Sequence, residues 1–259
     1  MDFVFQHVYQ IASMVEACLE DVDSLIEISW GNPDVFQGMF KFSKVTLLER
    51  YIFRMIYVEY SRDFRKNPEI YEDDSEEIQR IENLFESHGV VVLPFENFKP
   101  LISFDDHEAS RVYQWFLSQE TEFEKLWEKL AYEAFHILFL NRSFLLRFNK
   151  AVVKYLRDDR VEIPANLLDS AGCFKRIYMP TWVKKVVFFR DGGRCVLCQV
   201  DLSGLLSTDR SKHYDHMVPL ASHGVNDACN IQLLCERCNL RKSDGIAITG
   251  TRYGKWWTD

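Results

Sequence analysis

Arg190-Asp191-Gly192-Gly193-Arg194-Cys195-Val196-Leu197-Cys198 opens the stretch that decides how this chain is read. It runs on through His213-Tyr214-Asp215-His216-Met217-Val218-Pro219. It closes with Asn230-Ile231-Gln232-Leu233-Leu234-Cys235-Glu236-Arg237-Cys238-Asn239-Leu240-Arg241-Lys242. Two Cys-x-x-Cys pairs bracket an Asp-His dipeptide, with 36 residues between Cys198 and Cys235. Each pair is suited to a knuckle that presents two thiolates, and Cys195, Cys198, Cys235 and Cys238 together would close a tetrahedral zinc shell. Such a shell has no open position for water, so this zinc is expected to hold the fold together and to do no chemistry. It ties both ends of a segment too small to be stable on burial alone. A redox Cys-x-x-Cys is the other reading of the spacing.

Between the pairs, Asp215-His216 lies in a stretch with strand character, and Pro219 and Gly224 mark a loop. Asn230 precedes the apolar run Ile231 to Leu234. Cys235 to Asp244 reads as the start of a helix, with Gly245 near its end. On that helix Asn239 and Lys242 are three apart and share a face. A strand–strand–helix unit pinned by zinc would bring Asp215 and Asn239 together. Both offer hard oxygens, which suit Mg²⁺ or Mn²⁺ and not a soft metal. His216 would then sit beside that metal as a neutral general base near pH 7.

With these residues in view, the chain from about Pro180 to Gly245 resembles the HNH endonucleases of the ββα-metal (His-Me finger) class. The resemblance rests on the lead-in Trp182 to Cys198, on Asp215-His216 with Pro219, on Asn230 before Leu233-Leu234-Cys235, and on Cys238-Asn239 with Lys242. It implies that His216 activates the attacking water and that Asp215 and Asn239 hold one divalent ion against the scissile phosphate. It implies further that Asn230 braces the loop carrying His216, and that the products are 5′-phosphate and 3′-hydroxyl ends. Such an ion stabilises charge on the phosphate and on the leaving oxygen. Three positions depart from the family pattern. Asn239 stands where the name-giving motif has His, Gln199 stands where Gly usually follows the first knuckle, and His223 stands where a small or basic residue is usual. Only metal binding by Asn239 bears on catalysis, and an Asn there is common in the four-cysteine members. His223 reads as a phosphate contact or an exposed loop histidine, and His213 as a strand residue.

Lys184, Lys185, Arg190, Arg194, Arg241 and Lys242 form a basic group suited to the backbone of DNA. No base-reading element is recognisable, so no sequence specificity is inferred. Gly254-Lys255-Trp256-Trp257 either packs back on the domain or stacks on unpaired bases.

The rest of the chain reads as helix. Apolar stripes run through residues 3–28, through Lys44 to Asp63, through the acidic residues 69–88, and almost without pause from Asp105 to Arg157. Gly31-Asn32-Pro33-Asp34 breaks the chain after the first of these. Val90-Val91-Val92-Leu93 is a candidate strand or buried crossing. The aromatic residues from Trp115 to Phe139 read as packed core, with an aromatic ligand box as the alternative. The acids of 69–88 are a solvated helix exterior or a docking face. Arg142, Arg147, Lys150, Lys154 and Arg157 are a solvated face or a DNA-backbone face. Residues 158–180, with Pro164, Gly172 and Pro180, look like a link.

The chain of 259 residues has a net charge of −8, which seems to argue against a nucleic-acid partner. The charge is uneven, however. From Thr181 onward there are 11 Lys and Arg against 8 Asp and Glu, a balance of +3, and the remainder carries −11. A hydrophobic fraction of 47% excludes wholesale disorder. No apolar run reaches the ~20 residues of a membrane span, and Met1-Asp2-Phe3-Val4 lacks signal-peptide character, so the expected compartment is the cytoplasm. Without export, the seven cysteines point to metal and not to disulfides, and Cys18, Cys173 and Cys229 read as inert thiols.

The expected architecture is mainly α. A helical domain over residues 1–177 would have a sensor, partner or regulatory role, and a zinc-bound ββα-metal domain would cover residues 178–259. The expected function is metal-dependent hydrolysis of DNA phosphodiester bonds. A bacterial anti-phage defence or restriction setting enters only by analogy. The helical part has no second catalytic constellation, so it offers a surface for a protein partner or activator, or a cover for the basic nuclease face. The competing reading is a zinc-stabilised nucleic-acid-binding or scaffold module without catalysis. Against it, Asp215, His216, Asn230 and Asn239 are all present together.

Overall fold

A computed structural model describes residues 7–19, 41–72, 75–100, 110–157, 163–204 and 211–253. The helices among them are α1 (Val8–Cys18), α2 (Leu47–Lys66), α3 (Glu69–Glu72), α4 (Ser75–Ser87), α5 (Arg111–Ser118), α6 (Glu120–Leu140), α7 (Arg142–Arg157), α8 (Thr181–Arg190) and α9 (Glu236–Lys242). Two strands, β1 (Lys212–His216) and β2 (Ile231–Cys235), pair antiparallel with Asp215 opposite Gln232 and His216 opposite Ile231. The chain is thus mainly helical, with its small sheet in the cysteine-bearing segment, as expected. No helix among the described residues is long and apolar enough to cross a membrane. The breaker at Gly31–Asp34, the ends of the first expected helix, residues 101–109 and the Gly254–Trp257 tail lie outside the described residues.

The long helical run divides at two polar residues. Gln119 closes α5 through its N–H to Phe116 O at 3.0 Å. Asn141 closes α6 in the same way on Leu138 O, then caps α7 by accepting the Phe144 N–H at 3.1 Å on its side chain. The expected strand at Val90–Leu93 does not form, and the segment is not a buried crossing either. Val91 is 89% exposed. The stretch is instead pinned from the side, with Gln119 accepting from Leu93 N and the Trp115 indole N–H donating to Leu93 O at 2.7 Å.

The chain packs as two units, residues 1–15 with 51–136, and residues 16–50 with 137–259. In the first, Phe123 is the centre of the core. Its ring meets those of Phe85, Trp115, Phe116 and Phe64 edge to face, with centroids 4.9 to 5.8 Å apart. That geometry sets the positive ring edge against the negative ring face. These rings are core residues and do not line a ligand box. The N-terminus of α5 is closed by Ser110, which accepts from Tyr113 N, and by the Glu72 carboxylate, which accepts the Val112 N–H at 3.0 Å.

The second unit contains the whole cysteine-bearing segment, and packing draws α7 and residues 16–50 into it as well. One buried carboxylate, Asp191, ties the pieces together. Its oxygens pair with the Arg190 guanidinium at 2.9 and 3.0 Å, lie 3.7 Å from the Arg142 guanidinium, and accept the Leu233 N–H at 2.8 Å. Arg142 also donates to Gly250 O and lies 4.2 Å over the Tyr253 ring, so it presents no face to DNA. Asn149 on α7 donates to Cys229 O at 3.1 Å. Arg147, on the exposed side of the helix, pairs with Glu16. At the other end of the unit, Asp227 accepts the Leu47 N–H at 2.9 Å and Thr46 accepts from Glu49, closing the start of α2.

Asp191→Ala would leave two buried guanidinium groups uncompensated. The substitution is expected to destabilise the fold by about 3–5 kcal/mol, read as a fall in the urea midpoint. Arg62→Ala removes an exposed pair with Glu59 and is expected to change stability by no more than about 1 kcal/mol.

Candidate active site and zinc centre

Helix α8 ends at Asp191, and two glycines then turn the chain into the first knuckle. Gly192 takes φ +62°, its N–H bonds to Phe189 O, and the Gly193 N–H bonds to Phe188 O at 2.9 Å. This Schellman closure needs a left-handed residue, which glycine adopts without strain. Cys195 follows directly, with its N–H on Val200 O, and Val196 N bonds to Leu233 O of β2. Gln199 also sits at positive φ, +65°. Its side-chain amide donates to Val196 O at 3.0 Å, which helps hold a conformation that a residue with a Cβ resists. The second knuckle begins at Cys235, the end of β2, and passes into α9.

The four thiol sulfurs of Cys195, Cys198, Cys235 and Cys238 lie within 4.8 Å of one another. Zn–S bonds of about 2.3 Å give a tetrahedral S···S edge of about 3.8 Å, and Cys198 and Cys235 are 3.7 Å apart. The group fits a structural zinc. Arg241 points a guanidinium N–H at the Cys238 sulfur, 3.6 Å away, which offsets thiolate charge.

Alternation along β1 sets His213 and Asp215 on one side and Tyr214 on the other, where it packs on the apolar core beside α8. The side bearing His213 and Asp215 meets α9. Asn239 Nδ2 is 3.4 Å from His213 Nδ1, and Lys242 Nζ is 2.8 Å from Asp215 Oδ2. Asn239 and Lys242 are one helical turn apart, as their shared face requires. Lys242 also donates to the His216 backbone carbonyl at 2.8 Å.

The loop after β1 is closed by one amide. Asn230 accepts the Val218 N–H at 2.9 Å and donates to Val218 O and Val225 O, both at 3.0 Å. Gly224 makes the turn close enough to allow this: a Cβ there would lie 2.0 Å from Val218 O. The His216 imidazole is buried inside this loop at 3% exposure. Its Nε2 lies 3.3 Å from Asn226 Oδ1, and its Nδ1 has no hydrogen-bond partner among the described residues. Burial first, and then the nearby Arg176 guanidinium, push the imidazole down to about 4, against the opposing pull of Asp215. His216 is therefore neutral at pH 7, with a lone pair available.

The basic group divides. Lys185 and Arg241 are exposed, and Lys184 and Arg194 are half-buried. Arg190 and Lys242 are buried, one on Asp191 and the other on Asp215, so neither is open to a phosphate. A helix end and a helix face look alike in sequence whether or not a carboxylate covers them. His213, read as a strand residue, touches Asn239. Asn226 and Arg176 were missed. The only signal for Asn226 was a polar residue soon after a loop glycine, and Arg176 lay in the presumed link.

Zinc analysis is expected to find one ion per chain. A strong chelator should remove it and unfold β1, β2 and α9, since a structural zinc supplies folding free energy. Cys238→Ser should lower zinc content well below one; full retention would exclude the four-thiolate site.

No curated protein and no solved structure matches this chain. Residues 195–245 match the family model described as HNH endonuclease, which supports a nuclease-type, nucleic-acid-related function for the segment that carries the four cysteines, Asp215 and His216.

Proposed function

We propose that the segment from residue 178 onward is a metal-dependent endonuclease that hydrolyses phosphodiester bonds of DNA in the cytoplasm. The observation that carries this reading is the His216 imidazole. It is neutral and buried, one nitrogen has no hydrogen-bond partner among the described residues, and Asp215 precedes it on the same strand. An unpartnered lone pair on a fixed imidazole is what proton abstraction from water requires.

Asp215 and the side-chain oxygen of Asn239 are hard donors, and their small number suits Mg²⁺ or Mn²⁺, which keep water and substrate phosphate in their shells. Bound there, such an ion would supply Lewis-acid stabilisation of the phosphate and of the leaving 3′ oxygen. The chain's own residues do the rest. His216 takes the proton of the attacking water, Asn230 holds the loop that carries it, and Lys242 holds Asp215 in place. Lys184, Lys185, Arg194 and Arg241 meet the DNA backbone, and Arg176 joins them beside the base. The products are 5′-phosphate and 3′-hydroxyl ends. One such site cuts one strand. Residues 1–177 act as sensor, regulatory or partner-binding region, in a setting of anti-phage defence or restriction.

One observation favours the second reading, a zinc-stabilised nucleic-acid-binding module without catalysis. The Lys242 ammonium already neutralises one oxygen of Asp215 and competes with a divalent ion there.

Supercoiled plasmid with Mg²⁺ or Mn²⁺ separates the two. Nicking by the wild type is expected, with a loss of about 10²–10⁴-fold in His216→Ala at unchanged zinc content and DNA binding. Equal cutting by both proteins would remove His216 as the base. DNA binding with no cutting by either would favour the binding module.

A further inference from the structure

A neutral imidazole has one proton for two nitrogens, and only the bare nitrogen takes a proton from water. At His216 the two nitrogens have different surroundings. Nε2 faces Asn226 Oδ1 at 3.3 Å, while Nδ1 is buried without a partner among the described residues. Asn226 is itself 1% exposed, and its Nδ2 donates to the backbone carbonyl of Lys175 at 2.9 Å. A carbonyl can only accept, so this second bond decides which end of the amide faces Lys175 and turns the oxygen toward the imidazole. That oxygen can also only accept. The nitrogen facing it must therefore carry the proton.

We propose that Asn226 is a positioning residue for His216: anchored by the Lys175 carbonyl, it holds the Nε2–H and keeps Nδ1 bare and oriented as the base. This rests on the reading of His216 as general base. When Nδ1 takes a proton from the attacking water, the hydroxide oxygen bonds to phosphorus as the P–O3′ bond breaks, the 3′ oxygen leaves and takes a proton from solvent, and the imidazole becomes a cation. Asn226 keeps accepting from Nε2–H throughout, and no proton passes to it. The contact to Lys175 also extends the site beyond residues 195–245, into the stretch that looked like a link. A buried polar atom that lost this partner would carry an unmet desolvation penalty, so the ring would be free to turn.

The test uses the full-length, zinc-loaded chain with ¹⁵N-labelled histidine, the His216 signals being assigned by their loss in His216→Gln. Wild type is expected to show the proton on Nε2, exchanging slowly with solvent, and a bare Nδ1. A proton on Nδ1 overturns the proposal whether or not the chain cuts DNA. Asn226→Leu keeps the size of the side chain and removes both polar ends. It is expected to lose the slowly exchanging Nε2–H signal and to lower kcat for plasmid nicking about 10–100-fold, with KM and zinc content unchanged. Asn226→Asp keeps an acceptor toward Nε2 and is expected to retain the signal, which also decides the matter if the leucine variant does not fold. An unchanged signal and kcat in Asn226→Leu, or a signal lost in Asn226→Asp, would overturn the assignment. A wild type with the proton on Nε2 but no cleavage would support the contact and remove the nuclease reading.

Discussion

The carboxylate of Asp191 is the constraint on which the second unit depends. It is buried, it carries one charge against two guanidinium groups, and its remaining hydrogen bond goes to the backbone of β2. Removing such a charge from water is unfavourable by several kcal/mol, and only partners in good geometry offset it. The consequence is positional. The end of α8, the start of α7 and the second strand must all converge on one residue, and the chain leaves that residue through Gly192-Gly193 straight into the first zinc knuckle. Position of the knuckle, and so of the metal, is set by an ion cluster the metal does not touch.

The same logic recurs inward, with neutral amides in place of charges. Asn230 uses both ends of its side chain on the backbone of a single loop, and Asn226 uses both ends to join a backbone carbonyl to an imidazole. Each amide has donors and acceptors that cannot be exchanged, so each fixes a direction as well as a distance. An apolar residue of equal size would fill either space and fix neither. Asp227 adds a further link, since it follows Asn226 directly and closes the start of α2. The loop around His216 is therefore held on several sides by polar groups that burial makes costly to leave unpaired.

What was legible in the sequence follows from this division. The cysteines, Asp215-His216 and the strand–strand–helix order are local patterns, because ligand chemistry and period dictate spacing along the chain. The helices were legible for the same reason, except for the stops at Gln119 and Asn141, where one polar residue divides a run that reads as continuous helix. What could not be read was which cations are covered. Arg190 and Lys242 sit at positions that look solvated, and although Asp191 is the next residue to Arg190, the sequence does not say that Asp191 and Asp215 are folded onto these cations. Val90–Leu93 failed for a related reason. Its β-branched residues describe a preference, and a strand also needs a partner, which the side chains of Gln119 and Trp115 do not supply. Arg142 was read with its helix face, yet it is the one basic residue of that face held by Asp191.

The site that results is balanced in charge before any substrate arrives. Asp215 is neutralised by a buried lysine, and His216 is neutral because burial and Arg176 disfavour its cation. A desolvated imidazole is a weaker base than one in water, so its use as a base depends on what it faces more than on its basicity. A negatively charged phosphate brought beside it works in the opposite direction to Arg176 and favours the imidazolium. Under the proposed reading, proton transfer to His216 is easier with the phosphate in place than in the empty site. Under that reading, the burial and the Arg176 charge that disfavour the imidazolium in the free chain tie the base to the arrival of the anionic substrate.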